Sequence, residues 1–234
     1  MAEQCENSDA EDSQEFILDI GLSWMASKSR YPLWLSAEDF DRFVPKGGPV
    51  VVQLHIVDRA VTESNRAAGM QIGEDVRRLL ASPLPGEVIR TVWLGVTQAY
   101  FDPAEHGLSG RDWLRRIEQT WISSIRRTNA TFAPPPPRPV TDAGLRRAVL
   151  EQIRFVANDL ERAASNGSVP SLVPALEQVT SDACADLGYR LFLRALKAHF
   201  VEITEERCAA LIALGQHFGY PEFLVDDNLN IGDN

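Results

Sequence analysis

Cysteine is scarce in this sequence, with only Cys5, Cys184 and Cys208 among 234 residues. Three scattered thiols cannot make a disulfide framework. Without a Cys-x-x-Cys pair, neither a redox motif nor a zinc knuckle is supported. Cys184 and Cys208 lie in apolar, helix-patterned stretches and read as small buried hydrophobes in a reducing cytoplasm. Lysine is nearly missing as well: Lys28, Lys46 and Lys197 stand against twenty arginines, a balance that GC-rich bacterial genomes encode.

Other absences exclude whole classes. Residues 1–15 hold six acids and no Lys or Arg, which excludes a secretory or mitochondrial leader. No uncharged apolar run approaches the roughly 20 residues of a membrane span. Phosphate-binding and nucleophile-elbow patterns (G-x-G-x-x-G, G-x-x-x-x-G-K-S/T, G-x-S-x-G) are not found. No cofactor and no metal are expected. The end of the chain, from Asp226 to Asn234, imitates a calcium loop, but Ile231 occupies the glycine position and the closing glutamate is missing.

What the chain does have is proline. Pro134-Pro135-Pro136-Pro137-Arg138-Pro139 fixes φ and removes amide donors, so neither a helix nor a sheet interior passes through it. This predicts an acidic disordered tail at 1–15, an N-terminal mostly helical block at 16–133 and a rigid polyproline linker at 134–140. A C-terminal all-helical block at 141–225 and a polar tail at 226–234 follow. The fold class is mainly α, two packed helical blocks joined by the linker.

Helical spacing supports this reading. Thr141 is placed to cap a helix over 141–165, in which Leu145, Val149, Ile153, Val156 and Leu160 form one stripe. A second helix is expected from about 174 to 201, apolar on most sides in its latter half and so the most buried. Ser109 starts a helix carrying Trp113, Ile117, Trp121 and Ile125 on one face. Ser36 starts a short helix that Pro45 ends. Two segments are ambiguous. Residues 50–57 and 88–97 are rich in β-branched side chains, but Val50, Leu54, Val57 and Val61, and Val88, Val92 and Val96, step at helical spacing. Pro49 suits a first helical position, and helical surroundings favour helix for both.

Chemistry-bearing residues are few. His55 and Asp58 are three apart, and the carboxylate could orient the imidazole as a general base. His199 and Glu202, also three apart, are one half of a paired His and carboxylate metal pattern that no second helix completes. These four are the catalytic candidates, each with a plain structural reading beside it. Net charge is −10, yet from Arg111 to Arg147 eight basic residues face three acids. Arg111, Arg115, Arg126 and Arg127, with Trp113 and Trp121, are therefore the candidate partner-binding residues. The aromatics of the first block (Phe16, Tyr31, Trp34, Phe40, Phe43, Trp93 and Tyr100 among them) form either core or a groove.

The expectation is a non-catalytic cytoplasmic interaction module, an adaptor, inhibitor or immunity-type partner of another protein. An acidic surface suits a basic partner and repels nucleic acid and membranes. The alternative is a helical small-molecule site or enzyme using His55/Asp58 or His199/Glu202. A weaker alternative is nucleic-acid binding through the Arg111–Arg147 belt.

Overall fold

The computed structural model describes residues 19–30, 37–62 and 66–232. The tail expected at 1–15 lies outside them, as do Phe16, Tyr31, Trp34 and the last two residues of the polar tail. The chain is mainly α, and the elements run α1 (Leu22–Ser27), α2 (Ala37–Thr62), α3 (Arg66–Ala81), α4 (Gly86–Thr97) and α5 (Gly110–Arg126), then α6 (Ala143–Phe155), α7 (Ala157–Asn166), α8 (Leu172–Asp182) and α9 (Ala185–Ala198). Strand β1 (Glu202–Thr204), α10 (Glu205–His217), α11 (Glu222–Asp226) and β2 (Asn230–Gly232) complete the fold.

Local signals explain most of these elements. Ser109 and Asp112 form a capping box: the Asp112 N–H donates to Ser109 Oγ at 3.1 Å, and the Ser109 N–H donates to the Asp112 carboxylate at 3.3 Å. Trp113, Ile117, Trp121 and Ile125 of α5 then face inward together. Both ambiguous segments are helical: 50–57 belongs to α2 and 88–97 to α4, so the possible β structure there is not formed. The reason is burial, since Val52, Ile56, Val57 and Ala60, like Ile89, Val92, Trp93 and Val96, seal one helical face. α2 breaks at Gly48, whose φ of 65° is left-handed, rather than at Pro45, and Pro49 restarts it.

Three expected helix boundaries move. α6 is capped by Asp142, which accepts from the Leu145 N–H at 2.7 Å, not by Thr141. The helix expected over 141–165 divides at Val156, yet Val149, Ile153, Val156, Leu160 and Ala164 stay buried through the break. The long helix expected after Pro174 divides at Cys184, which adopts an extended backbone and caps α9. The proline segment docks at this second break. The Val140 N–H donates to Cys184 Sγ at 3.3 Å, and the Ala185 N–H donates to the Val140 carbonyl at 3.3 Å. Arg77 also donates to the carbonyl of Pro135.

The two blocks share one continuous core. α2, α3 and α5 pack together in the first, α6, α8 and α9 in the second. α1 and α4 bridge them, because each touches both α9 and a helix of the first block. Every residue of α9 except Arg194 is buried, as its apolar pattern predicts. The β structure lies outside both ambiguous segments: β1 and β2 pair in parallel, Ile203 opposite Ile231, and β2 is part of the expected polar tail. Among the described residues no helix is long and apolar enough to cross a membrane.

Candidate functional site

The sequence-predicted site residues fall into three places. Trp113 and Trp121, expected at a partner surface, are 0% and 1% exposed and pack in the core. The four arginines are tied to the chain's own acceptors. Arg111 donates to the carbonyls of Leu80, Ser82 and Leu84 and so closes the C-terminal end of α3. Arg115 pairs with Asp112 at 2.7 Å, Arg126 donates to the Phe132 carbonyl at 3.1 Å, and Arg127 pairs with Asp58.

Asp58 therefore joins α2 to α5. Ser124 Oγ and Arg127 both donate to its Oδ1. Burial by itself would raise this carboxyl, but those two hydrogen bonds, with the nearby His55, hold it below its ordinary value. The carboxylate is committed to a helix–helix contact.

The most concentrated charge is buried between the blocks. All five N–H donors of Arg190, itself 1% exposed, find acceptors. Nη1 and Nη2 grip the two oxygens of Asp75 at 2.7 Å each. Nε and Nη2 reach Asp186 at 3.3 and 3.1 Å, and Nη1 also reaches the Ile20 carbonyl at 3.0 Å. Arg78 Nη1 lies 3.2 Å from Asp186, and the Tyr220 hydroxyl donates to the same carboxylate. Burial alone would lower the Arg190 guanidinium, and the carboxylates of Asp75 and Asp186 more than reverse that. Gly21 is required here. Its φ is 64°, and a Cβ would lie 2.1 Å from Asp75 Oδ2. With every acid matched by a guanidinium or hydroxyl, this cluster is a clamp without room for substrate.

His199 and Glu202 do share a hollow. An open cleft of about 440 Å³ is walled by Asp159, Arg162, Ala163 and Asn166 of α7 on one side and by residues 199–204 on the other. The two walls run antiparallel. At one end a Cβ on Gly167 would lie 3.6 Å from His199 Cε1, and at the other the Arg207 guanidinium stacks 3.3 Å over the Phe155 ring. His199 Nε2 is 2.9 Å from the Gly95 carbonyl, which can only accept, so the neutral ring carries its proton there. Sequence reasoning missed the α7 wall. Asp159, Arg162 and Asn166 are spaced three and four apart, a pattern that any solvent-facing helix side can carry.

Phe200, in the wall formed by residues 199–204, is unusual twice over. It occupies the left-handed position after α9, φ 51°, and is 73% exposed. The Phe200 N–H to Lys197 carbonyl and Val201 N–H to Leu196 carbonyl bonds complete a Schellman turn, in which glycine is the usual residue at that site. A second, apolar gap of about 20 Å³ is bounded by Trp93, Trp113, Val179 and Leu191. No group of three or more His, Cys, Asp or Glu side chains among the described residues could hold a metal.

Burial pushes the His199 imidazole below its ordinary value, against the Gly95 hydrogen bond and aided by Arg194. Such a group contributes stability that is complete above its unfolded pKa and is lost as pH falls through the lower, folded one. Acidification below about pH 6.5 is thus expected to destabilise the chain. His199→Gln, which keeps a donor for Gly95, should flatten that part of the profile. Urea midpoints at about pH 7.5 and 5 compare the two chains, and an equal fall in both would refute the assignment.

No protein-family model, no curated protein and no solved structure matches the chain.

Proposed function

We propose that the chain is a non-catalytic protein-interaction module that receives part of another polypeptide in the cleft between α7 and β1. Phe200 carries this reading. A bulky residue at positive φ costs of order 1–3 kcal/mol, and such outliers gather at binding and catalytic sites. Glycine would remove that cost, and the ring makes no compensating burial, since most of it faces water. An aromatic kept there at the expense of the fold suits an anchor for a partner. Cys184 and Cys208 are both free thiols, which suits a reducing cytoplasm.

Phe200→Gly therefore has opposite expected effects on folding and on binding. Stability should stay the same or rise by up to about 1 kcal/mol. Polypeptide ligands selected from a random dodecapeptide library against the unaltered chain should lose at least about tenfold in affinity. Selected ligands that bind both chains alike would refute the reading, and so would a library that yields none.

A small-molecule site is the second reading, favoured by His199 and Glu202 bordering the same hollow. It would place the response to ligand on His199→Ala rather than on Phe200→Gly. The nucleic-acid reading has less support, because Arg111, Arg115, Arg126 and Arg127 of the belt are engaged by acids and carbonyls of the chain itself.

A further inference from the structure

β1 is an edge strand. Among the described residues it pairs with β2 alone, and Val201 to Thr204 border the cleft. α7, ten residues or about 15 Å long, faces it across the opening. A helix set antiparallel to an edge strand, with an open trough between them, leaves space for about four or five residues of extended chain at 3.3 Å each. Backbone hydrogen bonds along such an edge are sequence-blind and supply affinity, while alternate side chains supply selectivity.

The two faces of β1 say which side chains. Glu202 and Thr204 are exposed and Ile203 is buried between them. A strand added beside β1 places its own side chains next to these at about 5 Å, face by face. Its outward residues lie beside Glu202, with Glu205 and Glu206 following on the first turn of α10 and Asp159 across the trough. Arg162 pairs with Asp159 and Arg207 is held over Phe155, so Glu202, Glu205 and Glu206 leave the rim net acidic. Its inward residues lie on the Ile203 face. The Glu202 face carries the acids, while Ala163, Val201 and Ile203 supply the apolar part of the lining.

We infer that the cleft takes an extended segment of a partner protein that alternates cationic with apolar side chains and adds as a strand to the free edge of β1. This rests on the interaction reading above and names its ligand. Opposite charges at the rim set selectivity and register, and Phe200 packs on an apolar residue at the end near His199.

The test uses synthetic decapeptides and the full chain. The probe alternates Lys with Val. One control carries Glu in place of each Lys, and a second carries N-methyl groups on alternate amides, which removes the strand donors and keeps the side chains. Fluorescence anisotropy should report binding of the probe, weakened at least about tenfold by N-methylation and by the change to Glu. Glu202→Lys/Glu205→Lys, both exposed positions, should reverse the preference between Lys and Glu peptides, and the amides of 202–204 should become protected from exchange. Equal binding of the N-methylated peptide would overturn strand addition, and equal binding of the Glu peptide would overturn the charge assignment. If no alternating peptide binds but library-selected ligands remain sensitive to Phe200→Gly, this inference falls and the interaction reading stands. If neither binds, both fall. Concentration-dependent self-association lost in Glu202→Lys/Glu205→Lys would name a second copy of the chain as occupant and also overturn it.

Discussion

Arg190→Met is expected to lower stability by about 3–5 kcal/mol, a large part of the 5–15 kcal/mol that holds a typical domain. The cause is what remains behind. Asp75 is 0% exposed and would keep a charge in the interior with its bidentate partner gone. Arg190→Lys is expected to be nearly as damaging although it preserves the charge. An ammonium has three donors in place of five and cannot span both Asp75 oxygens, Asp186 and the Ile20 carbonyl at once. Replacing both partners, as in Asp75→Leu/Arg190→Met, should recover most of the loss, since well-packed apolar residues often substitute for a buried pair. Urea denaturation followed by tryptophan fluorescence measures all three. Unchanged midpoints in the single variants would mean the clamp contributes nothing.

The second large effect lies where α3 crosses α5. A Cβ on Gly73 would fall 2.1 Å from Trp121 Cε2, so the helices meet there only because position 73 has no side chain. Gly73→Ala is expected to destabilise by about 1–3 kcal/mol through overpacking, although alanine is the better helix former by about 1 kcal/mol. Trp121→Ala should cost about 3–5 kcal/mol through the cavity it leaves. Combined with Trp121→Leu, Gly73→Ala should change sign and become neutral or stabilising, because the obstructing ring is gone and the helix propensity remains. A double-mutant cycle measures this coupling. Simple additivity would show that the two positions do not meet as described.

Local chemistry was legible and remote chemistry was not. Ser109 and Asp112, the proline run and the buried character of α9 could be read from neighbouring residues. The breaks at Val156 and Cys184 could not, because the apolar stripe continues across both. The partners of Arg190 lie 115 residues away at Asp75 and 170 away at Ile20. No spacing rule links such positions, and an arginine amid Leu187, Leu191 and Phe192 gave no sign of its role. The cleft was half legible. His199 and Glu202 are three apart and suggested a shared site, but the wall facing them comes from α7, some forty residues earlier. Strands of three residues are too short to show alternation, so β1 and β2 stayed hidden in a helix end and a polar tail.

The clamp also bears on how the chain is made. Synthesis proceeds from the amino end, so Asp75 leaves the ribosome more than a hundred residues before the guanidinium that neutralises it. Until α9 emerges, α1 and α4 lack the surface they cover, and Ile20 lacks the donor that fixes its carbonyl. The contacts that tie the first half to α9 can therefore form only once the second half has been made.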